Sequence, residues 1–214
     1  MRRTIPALTE RERLLLGRAR RVVYEVPSSG PKLALHLYLP KNLEEGPPRA
    51  CLLFLHGGDW SRGSAAELAP HALHYVERGA VCALAEYRHR GSHPEAGPGD
   101  ALRDASAAAA YLRREAGVLN VDPKRLVALG AGSGGHLAAS LALGPKAGID
   151  EFSSRPDAAV IIGAVFELVE GGPGHGRCGS PAEARSLGLS RRIRPGAPPM
   201  LVVHGTADRV VPFA

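Results

Sequence analysis

Cys51-Leu52-Leu53-Phe54-Leu55 is an unbroken apolar run of strand length, and His56-Gly57-Gly58 ends it abruptly. A strand that alternates apolar and polar residues can leave one face in water. A run without alternation needs both faces covered, which is the condition of a parallel sheet with crossover helices packed on each side. The pattern recurs at Ala80–Ala85, Leu126–Leu129, Ala158–Ile162 and Met200–Val203. Helical signals fall between these runs. Ser64-Ala65-Ala66-Glu67 is a capping box opening a helix that Gly79 stops. Asp100 is placed as the cap of a helix whose Leu102, Ala105, Ala109 and Leu112 keep helical spacing as far as Gly117, and His136–Leu143 reads as a third helix. The expected class is α/β, with a mostly parallel sheet and helices on both faces.

The N-terminal part follows a different rule. Thr9-Glu10-Arg11-Glu12 is a capping box that predicts a short helix through about Arg20. Arg21–Val26 is β-branched, and Leu33–Leu39 alternates with Leu33, Leu35, Leu37 and Leu39 on one face, so Ala34, His36 and Tyr38 are expected on a partly exposed one. Pro27-Ser28-Ser29-Gly30-Pro31 reads as a hairpin turn that pairs these strands antiparallel. At 214 residues the chain is read as a single domain, 1–214, with residues 1–20 as a helical extension. Residues 171–199, rich in Gly, Pro, Ser and Arg, are read as an irregular functional loop or cap.

The formal charge of +6 raises the question of a nucleic-acid partner. Aromatic residues make up only 5% of the chain, too few for stacking platforms, and Arg2, Arg3, Arg11, Arg13, Arg18, Arg20 and Arg21 are read as a solvated helix face. No nucleic-acid partner is expected. No apolar run approaches the ~20 residues of a membrane span, and no apolar core follows Arg2-Arg3 as a signal peptide requires. Cys51, Cys82 and Cys178 are odd in number and widely spaced, which excludes a disulfide scaffold and a thiolate zinc site and suits a reducing, cytoplasmic location. His89, His93 and Glu95 lack metal-ligand spacing, so neither a metal nor a cofactor is expected. Asp104 and Arg113 are read as surface or helix-end contacts.

In open α/β sheets chemistry gathers at the carboxyl ends of the strands. Four such ends are polar here: His56-Gly57-Gly58-Asp59-Trp60, Glu86-Tyr87-Arg88, Gly130 to His136, and His204-Gly205-Thr206-Ala207-Asp208. The paired glycines after Leu55 allow successive N–H groups to point at one spot, as an oxyanion hole requires. Gly130-Ala131-Gly132-Ser133-Gly134-Gly135-His136 has the small residues of a nucleophile elbow between strand and helix. A dinucleotide site would place such a turn in the first βαβ unit with an acidic strand end ~20 residues on, whereas Asp150 falls in a loop.

These stretches, with Tyr87-Arg88, Asp104 through Tyr111-Leu112-Arg113, Asp122-Pro123-x-Arg125, Gly134-Gly135-His136-Leu137-Ala138 and Pro198-Pro199-x-Leu201 before His204-Gly205-x-x-Asp208, resemble the α/β-hydrolases of the esterase/lipase group. That group includes hormone-sensitive-lipase-like carboxylesterases and kynurenine formamidases. The resemblance implies hydrolysis of a small acyl ester, or an amide, by a Ser–Asp–His triad without a cofactor. It assigns Asp208 as the acidic member and the N–H groups of Gly57, Gly58 and Asp59 to the oxyanion hole, Asp59 replacing the usual glycine. The family phrase Gly-x-Ser-x-Gly-Gly-His-Leu-Ala, laid without gaps, puts Gly132 at the nucleophile position. In a register slipped by one residue Ser133 is the nucleophile. We favour the ungapped register.

In the family the base follows the acid after a further helix and strand, whereas all nine histidines here precede Asp208. The expectation is therefore a C-terminally truncated hydrolase fold with impaired esterase chemistry. The alternative is a non-catalytic pseudo-hydrolase or gene fragment that binds acyl ligands. The strand at Met200–Val203 is expected to be an exposed edge through which the chain self-associates.

Overall fold

The computed structural model describes residues 8–144 and 153–213; Arg2, Arg3 and Asp150 lie outside them. In chain order the elements are α1 (Glu10–Leu16), β1 (Arg20–Glu25), β2 (Leu33–Tyr38), β3 (Arg49–Leu55), α2 (Ala69–Val76), β4 (Val81–Ala85), α3 (Pro98–Arg114), β5 (Val121–Ala131), α4 (Ser133–Ala142), β6 (Ala158–Ile162), α5 (Pro181–Leu187) and β7 (Met200–Val203), with short 3₁₀ turns between some of them. The strands form one seven-stranded sheet in the order β1-β2-β4-β3-β5-β6-β7. β1 pairs antiparallel with β2, and β2 antiparallel with β4. All pairs from β4 through β7 are parallel. The switch from alternation to continuous apolar runs at Cys51 thus marks the change from antiparallel to parallel pairing.

The central strands are covered on both faces. Leu53, Leu55, Ala83 and Ala128 pack with Ala101, Ala105 and Leu112 of α3 and Leu137 of α4. Leu52, Phe54, Cys82 and Leu84 face Leu68, Ala69 and Ala72 on the other side. The alanines of α3 bring that helix close to the sheet, where larger side chains would hold it away. Among the described residues, no helix is long and apolar enough to cross a membrane.

Several local expectations are corrected. α1 ends at Leu16, and Arg20 already opens β1. Ala34, His36 and Tyr38 are buried, because the second face of β2 is covered as well as the first. His36 Nε2 donates to Glu86 Oε1 at 2.8 Å, and Tyr38 donates its hydroxyl proton to the Leu15 carbonyl at 2.7 Å. Asp100 is not the cap of α3 but sits in its first turn, where its carboxylate accepts the Gly97 N–H. Asp104 is buried, not superficial. Its two oxygens take the Arg88 guanidinium at 2.6 to 3.1 Å, and one of them also accepts the Arg88 N–H at 2.8 Å. Both charges are paired and hydrogen-bonded, so α3 is locked to the carboxyl end of β4.

Candidate active site

The turn after β5 is as short as such a turn can be. β5 ends at Ala131, α4 starts at Ser133, and Gly132 alone joins them with φ 55° and ψ −120°. Its N–H donates to the Ile162 carbonyl at 2.9 Å, and its carbonyl accepts the His136 N–H at 3.1 Å. The tight reversal presses backbone on backbone at its flanks. A Cβ on Gly130 would strike the Gly134 carbonyl, and one on Gly134 would strike the carbonyls of Leu55 and His56. At Gly132 the space is open: the nearest atom to an added Cβ is the Gly57 Cα at 4.0 Å. Ser133 is the first residue of α4 and is only 3% exposed. Among the described residues its Oγ has no hydrogen-bond partner.

The turn after β3 faces this apex. Gly58, Asp59 and Trp60 follow one another at φ 118°, 55° and 52°. Two of the three are not glycine, so the surroundings must hold a conformation that L-residues disfavour. Trp60 is buried, its ring edge-on to His136 with centroids 5.4 Å apart. Its carbonyl accepts the Arg90 N–H at 2.9 Å. Tyr87 braces the start of the turn by donating to the His56 carbonyl at 2.6 Å while its ring stacks on the His56 imidazole at 4.2 Å. Among the described residues, the N–H groups of Gly58, Asp59 and Ser133 find no acceptor. Donors at a strand end and at a helix start, all unspent, suit a site that stabilises negative charge.

These residues line one cavity of about 640 Å³. Gly58, Asp59, Gly132 and Ser133 form its floor, Gly172 to Gly174 with Gly176 and Arg177 form one wall, and Val210 and Val211 form another. The Asp59 carboxylate is held by Arg177, whose Nη2 and Nε lie 2.7 and 2.9 Å from the same oxygen. Asp208 is not itself in the lining. Its Oδ1 accepts the N–H groups of Val210 at 2.8 Å and Val211 at 2.9 Å, shaping the turn that is. These two bonds hold its carboxyl below the usual range. His204 Nε2 donates to the Val211 carbonyl at 2.7 Å and lies 3.8 Å from Asp208 Oδ2.

The two histidines nearest the cavity floor are structural. Burial pushes both His56 and His136 down to about 4. Their Nδ1 atoms donate to the carbonyls of Gly57 at 2.7 Å and Val165 at 2.8 Å. Burial also pushes the Tyr87 phenol up, so it serves as a fixed donor.

The structure therefore gathers Gly58, Asp59, Gly132 and Ser133 around one space, sets Gly57 against its edge, and places Asp208 behind one wall. Arg177, Val210 and Val211 were not singled out in the sequence. Arg177 lies in the irregular stretch read as a functional loop or cap, and nothing local pointed to a partner 118 positions away.

The chain matches the BD-FAE family over residues 35–165. It is 27% identical over 187 residues to the probable carboxylic ester hydrolase LipM of Mycobacterium tuberculosis, an alignment covering 75% of this chain and 42% of LipM. It is 29% identical over 109 residues to the isoprenylcysteine alpha-carbonyl methylesterase of Arabidopsis thaliana, covering 51% of this chain and 24% of that enzyme. The chain thus spans less than half the length of these two relatives. The apo structure of esterase 2 from Thermogutta terrifontis superposes with a TM-score of 0.83 at 33% identity, covering 92% of this chain and 75% of the esterase. Structures of the same esterase have also been solved with propionate and with butyrate bound, and phosphonylated by sarin. With the α/β-hydrolase sheet, the glycine-rich turns and these relatives in agreement, the chain belongs to the BD-FAE family, within the esterase and lipase group of α/β-hydrolases.

Proposed function

We propose that the cavity is a short-chain acyl-ester site of the carboxylic ester hydrolase type, and that Gly132 occupies the nucleophile position. The observation that carries this reading is the Gly132 backbone, a single residue at φ 55° between strand and helix with open space where a side chain would project. A residue there would present its oxygen to the cavity, whereas the Ser133 Oγ is buried in the first turn of α4. Glycine has no group to attack a carbonyl, so the chain as it stands binds acyl ligands and cleaves them poorly.

The N–H groups of Gly57, Gly58 and Asp59 from one turn and Ser133 from the other serve as the oxyanion hole. Asp208, kept ionised by its two backbone donors, fits the role of orienting a histidine base. Propionate and butyrate in the related esterase support a short acyl chain. No cofactor enters this reading.

Residues 171–199 act as a cap within a single domain, consistent with Gly172 to Arg177 walling the cavity. The exposed β7, at 36 to 59% residue exposure, supports self-association by edge pairing. Free Cys51, Cys82 and Cys178 support a cytoplasmic location.

The test is hydrolysis of p-nitrophenyl butyrate by the chain alone and by the chain fused to a family-like C-terminal segment carrying a histidine. The chain alone should turn over barely above background. In the fused chain Gly132→Ser should raise the rate by orders of magnitude. If fusion alone restores turnover and Ser133→Ala abolishes it, Ser133 is the nucleophile and the assignment of Gly132 is wrong.

A further inference from the structure

We propose that Arg177 is a positioning residue that clamps the Asp59 carboxylate away from the ligand and holds the turn after β3 in its donor-presenting conformation. This rests on the reading of the cavity as an acyl site and adds what keeps its donors usable.

The problem it answers is electrostatic. Asp59 lines the cavity and has an N–H without an acceptor among the described residues, yet its side chain brings a negative charge to the cavity's edge. An unrestrained carboxylate there repels the ligand. Its backbone, at φ 55° and followed by Trp60 at 52°, is also one that an L-residue leaves readily unless held.

Arg177 meets both needs. Its Nε and Nη2 converge on one Asp59 oxygen at 2.9 and 2.7 Å, which balances the charge and fixes its direction. Among the described residues, Asp59 has no other side-chain partner. The Arg177 backbone is anchored in turn. The Arg177 N–H donates to the Gly174 carbonyl at 2.9 Å, and its carbonyl accepts from Arg90 Nη2 at 3.1 Å. Arg90 in turn donates its own N–H to the Trp60 carbonyl at 2.9 Å, closing a ring of contacts between the wall and the turn. Gly174 lies so close to Trp60 that a Cβ would collide with the indole. The wall segment is therefore fastened to Asp59 through charge and to Trp60 through packing. Loosening it both uncovers the cavity and frees the donors.

The test measures butyrate binding by titration calorimetry and, by NMR, the three-bond HN–Hα couplings of Asp59 and Trp60, which report φ. The proteins are the wild type, Arg177→Gln, Arg177→Lys and the double variant Arg177→Gln with Asp59→Asn. Arg177→Gln should weaken butyrate by about tenfold and change both couplings. Arg177→Lys should recover part of the loss. The double variant should bind more tightly than Arg177→Gln alone, because the stranded carboxylate is gone; a merely structural role would make it bind no better. Equal binding by Arg177→Gln and the wild type would overturn the proposal, as would a double variant no better than Arg177→Gln. If the wild type fails to bind butyrate, the acyl-site reading fails, and unchanged couplings in Arg177→Gln would then separately dismiss the clamp.

Discussion

The turns after β3 and β5 are both rich in glycine, but their glycines answer different demands. In the β5 turn Gly130 is crowded by backbone of the turn itself and Gly134 by backbone at the end of β3, while Gly132 stands in open space and needs only its unusual φ. In the β3 turn Gly58 is both crowded, by the Arg62 carbonyl, and at φ 118°, yet the next two residues adopt positive φ without being glycine. A glycine-rich motif thus mixes positions set by crowding with positions set by conformation. Only the first kind is intolerant of any side chain. The second kind is where a functional group can be gained or lost.

The largest expected effect follows from crowding. Gly134→Ala should cost more than about 4 kcal/mol, because the blocking atoms are the carbonyls of Leu55 and His56, and Leu55 cannot move without breaking the parallel pairing of β3 with β5. Chemical denaturation should find the variant largely unfolded. A Tm within a few degrees of the wild type would remove the distinction between the two kinds of glycine.

Next is acid, which probes the histidine that follows each turn's strand. His56 and His136 titrate at about 4 in the fold and near 6.5 when unfolded. Above pH 6.5 both states are neutral and nothing is gained or lost. Below it the unfolded chain takes up protons first, so stability falls until the folded groups protonate near pH 4. By pH 5 the loss should be about 2 kcal/mol per histidine, read as a drop in urea midpoint relative to pH 7.5. His136→Asn should remove one half of that pH dependence. Invariance between pH 7.5 and 5 would show that the two rings are solvated.

Gly132→Ala should be milder than Gly134→Ala, about 2 kcal/mol, since it meets strain but no collision. The ratio of the two losses sharpens the comparison: equal values would mean that position 132 is as crowded as its neighbours. Smallest of all is Asp59→Gly. Relief of the positive φ and loss of the exposed pair with Arg177 oppose one another, each about 1 kcal/mol or less, so the melting temperature should move by under ~3 °C.

The parallel strands were legible because the need to cover both faces leaves an unbroken apolar run that does not depend on the partner. Cys51–Leu55, Val81–Ala85 and Leu126–Leu129 pair as that rule requires. The same rule read β2 only in part. Its alternation is real, but Ala34, His36 and Tyr38 are buried by contacts made with Glu86 and with the Leu15 carbonyl. Polar residues that find buried partners look, in sequence, like residues that face water. Asp104 failed for the same reason, since its partner Arg88 lies at the end of a different element.

β7 shows the converse. Its four apolar residues ask for cover on both faces, but among the described residues they are 36 to 59% exposed. Pattern records what a strand needs and not what packs on it.

The sequence by itself determined the layer order, the parallel core and the identity of the two glycine-rich turns, because local propensity and hydrophobic period act over a few residues and write themselves there. It also narrowed the elbow to two registers differing by one residue. The tertiary structure places Gly132 between the end of β5 and the start of α4. Whether residue 132 or 133 stands at the apex depends on where β5 leaves the sheet and where α4 begins, and both are set by the packing of Gly130 on Gly134 and of Gly134 on β3. The pairing of Asp59 with Arg177 was likewise beyond the sequence, because an ion pair between distant loops has no period and exists only once the wall segment has folded across the cavity.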